Sequence, residues 1–135
     1  MVPSNGRPII IAAEPQLFVA DIEASCNFYL RKLGFEIAFV YGDPPSYAQV
    51  FRDGARLNLR SMDAPVLDAG LRERESLLSA SMTVGTAREI EPLFLEMKSA
   101  AVDFHQELKT QPWGSRNFIV RDPDGNLLLF SGPAD

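Results

Sequence analysis

The chain has very few residues that could hold a metal through soft or imidazole ligands. It contains one cysteine, Cys26, and one histidine, His105, in 135 residues. A single cysteine excludes an internal disulfide and is typical of a protein from a reducing compartment. A structural zinc site takes about four cysteine or histidine ligands. These counts disfavour a zinc site and predict a cytoplasmic protein.

Long apolar segments and basic clusters are also missing. A membrane-spanning helix takes roughly 20 consecutive apolar residues, and no stretch of this sequence approaches that length. The formal net charge is −5, whereas nucleic-acid phosphates are bound through clustered Lys and Arg. The composition therefore predicts neither a membrane nor a nucleic-acid partner. The acidic balance mildly favours a cationic ligand, although solubility explains it at least as well.

What the chain does have is enough apolar material for one core. Hydrophobic residues make up 46% of the sequence and aromatic residues 10%. Its length fits a single domain over residues 1–135, or two small halves that share one core. The order strand, helix, three strands occurs twice, at about 13–61 and about 79–131, with a linker at about 62–78.

In the first half, Asp21 is an N-cap candidate for a helix from Ile22 to Leu33, and Gly34 supplies its left-handed stop. Asp53-Gly54 is a two-residue hairpin signal. Alternation and β-favouring residues predict four strands: Pro15 to Val19, Phe35 to Tyr41, Tyr47 to Arg52, and Arg56 to Arg60.

In the second half, the start of the helix that ends near Ala101 has two candidates. Thr86-Ala87-Arg88-Glu89 matches a capping box, but that start would put Pro92 past the first turn, where proline is costly. A start nearer Glu89 keeps Pro92 in the first turn and is favoured. The linker has room for a helical turn. Four strands are predicted here too: Ser79 to Val84, Val102 to Leu108, Arg116 to Arg121, and Leu127 to Phe130.

The two halves also echo each other at their last hairpins. Phe51-Arg52-Asp53-Gly54 parallels Val120-Arg121-Asp122-Pro123-Asp124-Gly125. Together with the repeated element order, this indicates a duplicated βαβββ unit. Neither half could bury its sheet alone, so the halves must pack together or exchange with a second chain.

Two motifs resemble those of the vicinal-oxygen-chelate superfamily (the glyoxalase/bleomycin-resistance/dioxygenase family). The first is Leu17-Phe18-Val19-Ala20-Asp21-Ile22-Glu23-Ala24-Ser25, with Phe28-Tyr29 and Leu33-Gly34-Phe35 after it. The second is Pro112-Trp113-Gly114-Ser115-Arg116-Asn117-Phe118, followed by Val120 to Leu127. The resemblance implies an α+β fold in which two tandem βαβββ units form a curved, incomplete β-barrel with helices on the outside. It also implies a homodimer, and the pattern is closest to bleomycin-resistance-like members.

The metal-dependent members of that family place ligands in the cup of the barrel. The corresponding positions here fall at Glu14, with Gln16 one step later, near Asn58, at Ser81 and at Leu129. Only Glu14 is a strong ligand, and Leu129 cannot bind a metal. The resemblance therefore implies a cup with no metal and no other cofactor, with a divalent metal as the alternative. No catalytic residue is assigned, and Glu14 is a weak candidate for a general base.

The cup wall is predicted by strand alternation, and Trp113 lies where bleomycin-resistance proteins also carry a Trp before Gly. Trp113 could stack on a planar ligand or anchor its loop. His105 is expected to be structural or at the surface, and Cys26 a packed core thiol. The candidate ligand-binding residues are Gln16, Phe18, Tyr47, Gln49, Asn58, Arg60, Ser81, Trp113, Arg116, Phe118 and Leu129.

The function favoured at this stage is sequestration of a small organic compound, an antibiotic or an aromatic molecule, in a metal-free cup. Mixed aromatic and polar walls suit such a ligand. The alternative is a lyase, isomerase or dioxygenase of the same superfamily, metal-dependent or not, so whether the protein is an enzyme stays open. A third hypothesis is a regulatory module with a vestigial cup. The sequence also leaves open whether the cup closes within one chain or across two.

Overall fold

Each half of the chain forms a four-stranded sheet with a helix packed on it in the computed structural model, which describes residues 6–134. The first half contains β1 (Gln16–Val19), α1 (Ile22–Lys32), β2 (Glu36–Tyr41), β3 (Tyr47–Arg52) and β4 (Ala55–Ser61). The linker carries α2 (Ala69–Glu75). The second half contains β5 (Leu78–Thr83), a 3₁₀ turn (Ala87–Glu89), α3 (Ile90–Ser99), β6 (Asp103–Thr110), β7 (Arg116–Arg121) and β8 (Leu127–Gly132).

The two sheets have the same topology. Their strand orders are β1-β4-β3-β2 and β5-β8-β7-β6. In each, the first and last strands of the half pair in parallel and the other neighbours are antiparallel. Within the part of the chain that the structure describes, neither sheet pairs with the other, which matches an incomplete barrel. The predicted duplicated βαβββ fold is confirmed.

The residues predicted to begin the two main helices do so in the structure. Asp21 caps α1 by accepting from the Ala24 N–H at 3.0 Å. At the second helix, both candidate starts are used: Glu89 accepts from the Thr86 N–H at 3.3 Å across the 3₁₀ turn, and α3 itself begins at Ile90. Pro92 thus lies in the first turn of α3. No helix within residues 6–134 is long and apolar enough to cross a membrane.

One core lies between the helices and the sheet faces that they cover. Tyr29 of α1, the C-cap residue Leu33 and Met97 of α3 are fully buried. Cys26 is 4% exposed within the same cluster, so the expected packed thiol is confirmed. Burial raises the pKa of this thiol, which keeps it protonated and unreactive.

The halves are joined where α1 meets the β7–β8 turn. The hydroxyl of Tyr29, a side chain with no exposed surface, donates to Asp122 Oδ2 at 2.9 Å. The same carboxylate accepts from the Asn126 side chain at 2.8 Å and from the backbone N–H groups of Asp124 and Asn126, both at 2.9 Å. Burial raises the pKa of Asp122, and these donors oppose that effect. Asp122 is therefore a buried acceptor whose hydrogen bonds depend on both halves.

The same turn also holds the end of β1. Asp124 Oδ1 accepts from the Ala20 N–H at 2.8 Å, and the Asn126 amide donates to the Phe18 carbonyl at 3.1 Å. The related contact on the other side of the molecule is ionic: Arg52, at the end of β3, pairs with Glu96 of α3 at 2.6 Å. In each half, the hairpin echo seen in the sequence thus marks a contact with the helix of the other half.

Helix α2 is tied to the second sheet through one carboxylate. Arg121 binds Glu73 with two nitrogens, at 2.8 and 2.9 Å, and His105 Nδ1 lies 3.1 Å from the same carboxylate. Ser76, at the end of α2, lies 2.9 Å from His105 Nε2. The hydrogen bond from Arg121 is the main reason that the pKa of Glu73 falls to about 2. His105 therefore has a structural position, as expected.

Replacing Tyr29 by phenylalanine removes one donor from the buried Asp122 carboxylate and fills the same space. Loss of a buried hydrogen bond to a charged acceptor costs about 1–3 kcal/mol. Tyr29→Phe should lower the free energy of unfolding by that amount in urea denaturation. Tyr41→Phe, at a side chain that is 71% exposed, is the control and should change nothing. Equal stability of Tyr29→Phe and the wild type would contradict this account.

Glu73 should make stability depend on pH. Its pKa is about 2 in the folded protein against an ordinary value of 4.5, so its stabilising effect is complete above about pH 4.5 and is lost as the pH falls toward 2. Because its side chain is 40% exposed, screening keeps the effect to about 1 kcal/mol or less. Glu73→Gln should destabilise at pH 7, and the difference from wild type should shrink below pH 4.5. Glu75→Gln is the matched control; a pH-independent difference for Glu73→Gln would contradict the assignment.

Candidate functional site

One face of the first sheet does not pack against the core. Burial alternates along its strands, and Leu17, Val50 and Leu59 point into the core with 1% of their surface exposed or less. The intervening side chains of β1, β3 and β4 point the other way and are half-buried or exposed. We call this the open face; its members are Gln16, Phe18, Tyr47, Gln49, Phe51, Arg56, Asn58 and Arg60. All six residues that were predicted for the cup wall in this half lie on it.

Gln49 is the centre of a polar network on the open face. Its amide nitrogen donates to Glu14 Oε1 at 2.6 Å and to Asn58 Oδ1 at 2.9 Å, and its oxygen accepts from Arg56 Nη1 at 3.1 Å. Tyr47 donates to Gln16 Oε1 at 3.3 Å beside it. These contacts hold the polar side chains in one arrangement before any ligand arrives.

Aromatic rings surround this network. Phe18, Arg60 and Tyr47 are direct neighbours across β1, β4 and β3. Phe39 of β2 stacks on Tyr47, with ring centroids 6.2 Å apart and planes 13° from parallel. The Arg56 guanidinium lies 4.9 Å from the centroid of the Phe51 ring. The open face therefore offers flat apolar surfaces next to fixed polar groups.

Few of the donors at this site are strong metal ligands. Glu14 lies just before β1, and one of its oxygens is engaged by Gln49. Asn58 adds an amide, and its oxygen is engaged by the same side chain. Within residues 6–134, no three His, Cys, Asp or Glu side chains come close enough together to hold a metal ion. A stable divalent site is generally built from three or more suitable ligands, and Glu14 is the strongest ligand among the donors named here.

The predicted residues of the second half are more scattered. Ser81 and Leu129 are paired neighbours on β5 and β8, so the structure brings them together on the second sheet. Arg116 forms an ion pair with Glu91 of α3 at 3.1 Å, so it lies on the helix-covered face of β7 with Phe118 and not on the cup wall as predicted. Trp113 lies in the β6–β7 loop and is 71% exposed.

Phe118 is not a wall residue, and this prediction was wrong. Its side chain has no exposed surface and stacks on Phe130, with ring centroids 5.3 Å apart, inside the core. Side chains alternate between the two faces of β7, and Phe118 and Val120 lie on the face that packs into the core. Asn117 and Ile119 occupy the other face of the strand.

A groove of about 810 Å³ lies between the β3–β4 hairpin and the start of the second half. Ser81 and Thr83 of β5 and Arg56 of β4 line it, together with Pro92 and Glu96 of α3. It links the first sheet with the second sheet beside the open face. Sequence reasoning missed Arg56 and Phe39 as site residues, although strict alternation with Arg60 already placed Arg56 on the same face.

Comparison with known proteins agrees with this architecture. The sequence profile of the Glyoxalase/Bleomycin resistance protein/Dioxygenase superfamily matches residues 11–130. Bleomycin resistance proteins of Staphylococcus aureus and Geobacillus stearothermophilus are 30% identical over 128 residues, which span 86% of this chain and 92% of each relative.

Solved structures show the same fold. A glyoxalase/bleomycin resistance protein/dioxygenase from Alicyclobacillus acidocaldarius superposes with a TM-score of 0.73 at 20% identity, over 92% of each chain. The bleomycin-binding protein of Streptomyces verticillus, solved with copper(II)-bleomycin, superposes with a TM-score of 0.68 at 24% identity, over 94% of this chain and 99% of that one. From its repeated βαβββ units, its profile match and these relatives, the chain belongs to the Glyoxalase/Bleomycin resistance protein/Dioxygenase superfamily.

Proposed function

We propose that this protein is a metal-free binding protein that sequesters a small organic compound against the open face of the first sheet. The observation that carries the proposal is the arrangement of the open face, where Phe18 and Tyr47 flank polar groups held in place by Gln49. Fixed polar groups among aromatic rings orient a small ligand with little loss of side-chain entropy. The relatives named for bleomycin resistance support a binding role.

We propose that the protein works without a metal because the available side chains are poor metal ligands. Glu14 is the one carboxylate hydrogen-bonded into the network of the open face, and Gln49 already occupies one of its oxygens. Ser81 and Leu129 lie on the other sheet and add one hydroxyl and no further ligand. An enzyme of this family that works through a chelated metal would need a stronger set.

We also propose that the protein is a homodimer whose second copy helps to enclose the ligand. Edge strand β2 is exposed along all six of its residues, including Phe39 at 45% and Val40 at 48% exposure. Ile10 and Ile11, ahead of β1, are 92% and 93% exposed. Apolar surface of this extent next to an unpaired strand edge is typical of a surface covered by another chain.

Binding can be tested with a neutral fluorescent aromatic probe, N-phenylnaphthylamine, whose emission rises in an apolar site. The wild type should bind it saturably. Tyr47→Ala should weaken binding about three- to tenfold, because a stacked aromatic contact contributes about 0.5–1.5 kcal/mol. Leu95→Ala, at an exposed apolar residue of α3, is the control and should leave affinity unchanged. No saturable binding, or equal loss in both variants, would contradict the proposal.

Metal content is tested by elemental analysis of protein purified without chelator or metal affinity resin, then dialysed against Mn, Fe, Co, Ni and Zn in turn. We expect far less than one metal ion per chain in each case, since the donors around Glu14 are too few. A stoichiometric metal that Glu14→Gln abolishes would overturn the metal-free proposal and favour a lyase or dioxygenase.

A further inference from the structure

The two arginines of the open face differ in what they contact. Arg56 donates to Gln49 and lies over the Phe51 ring. Arg60 is exposed, and the structure gives it neither a hydrogen bond nor an ion pair with any residue between 6 and 134. Its guanidinium thus has all five of its donors available.

The surroundings of Arg60 are aromatic on both sides. Its cross-strand neighbours are Phe18 and Tyr47, and direct neighbours in a sheet have Cβ atoms about 5 Å apart. Phe39 extends the aromatic surface beyond Tyr47 by stacking on it. A planar molecule lying on Tyr47 would therefore have its edge within reach of the Arg60 guanidinium.

We infer that the ligand is a planar aromatic acid, with its carboxylate on Arg60 and its ring on Tyr47. This rests on the proposed function and names the chemical class that the open face selects. A guanidinium binds a carboxylate through two parallel hydrogen bonds, which fix direction as well as charge. The ring contact then supplies the apolar part of the affinity.

The charges on the open face disfavour a cationic ligand, although the net charge of the whole chain is −5. A cation on the open face would meet Arg56 and Arg60. The charge of Glu14, which accepts from Gln49 at 2.6 Å, offsets only one of these two positive charges. The long-range field of an acidic protein is screened within about 10 Å at ordinary salt, so the contacts on the face decide which charge is accepted.

Three probes with the same ring system separate charge from shape: naphthoate, naphthamide and naphthylmethylamine, which are anionic, neutral and cationic. Their affinities are measured by isothermal titration calorimetry. We expect wild-type protein to bind naphthoate about tenfold more tightly than naphthamide, and naphthylmethylamine most weakly.

Variants of Arg60 then test whether this residue causes the preference for the anionic probe. Arg60→Gln should weaken naphthoate binding about tenfold and leave naphthamide binding unchanged, and Arg60→Lys should keep part of the preference because it retains the charge without the fork. Arg31→Gln, which removes an exposed arginine from α1, is the matched control and should change none of the three affinities.

Each other result counts against the inference. Equal affinity for all three probes, or tightest binding of the amine, would overturn it and leave the proposed binding function standing. A preference for naphthoate that survives in Arg60→Gln would overturn the assignment to Arg60. No measurable binding of any probe by folded protein would overturn both this inference and the proposed function.

Discussion

The buried contact between Tyr29 and Asp122 is the constraint on which the rest of the structure depends. A carboxylate in the interior is costly unless donors surround it, and here four hydrogen bonds reach it from α1 and the β7–β8 turn. Three of the donors belong to the turn itself, and the fourth, Tyr29, reaches the carboxylate only when the two halves are packed against each other. The position of the second sheet relative to the first is thereby fixed by a polar contact inside an otherwise apolar core.

This packing explains why the open face is free. Helices α1 and α3 pack on the core side of the sheets, so they leave the outward-pointing side chains of β1, β3 and β4 uncovered. Such a face would ordinarily be solvated and loosely ordered. Here the bonds from Gln49 to Glu14 and Asn58 hold its polar groups in place, which is the preorganisation that a binding surface needs.

Much of the fold could be predicted from the sequence because its signals are local. The cap at Asp21, the hairpin at Asp53-Gly54 and the alternation along β4 each depend on a few adjacent residues. The outward-facing positions of β1, β3 and β4 followed from the same alternation. Phe118 did not, because β7 is buried on both faces: Asn117 and Ile119, each at 6% exposure, are nearly as buried as Phe118 between them. Alternation separates two faces but cannot say which one a core will use when both are covered.

The contacts that join the halves could not be predicted either. Asp122 and Asn126 read as turn residues, and their bonds to Tyr29 and Phe18 span about a hundred residues of sequence. The same applies to Arg60, whose lack of a partner among residues 6–134 is a property of the folded surface. Local sequence patterns predict the helices, the strands and the side chains that share a face of a strand. Long-range polar contacts, which no local pattern reveals, determine which of those faces stays open to a ligand.

The central claim is that a small aromatic ligand occupies the open face of the first sheet. The most direct test is to follow backbone amide chemical shifts by NMR while naphthoate is added to the labelled protein. The account predicts that the largest shifts fall on β1, β3 and β4, around Phe18, Tyr47 and Arg60, with α3 and β7 unaffected. Shifts confined to the groove between the β3–β4 hairpin and α3, or spread evenly over the chain, would contradict it.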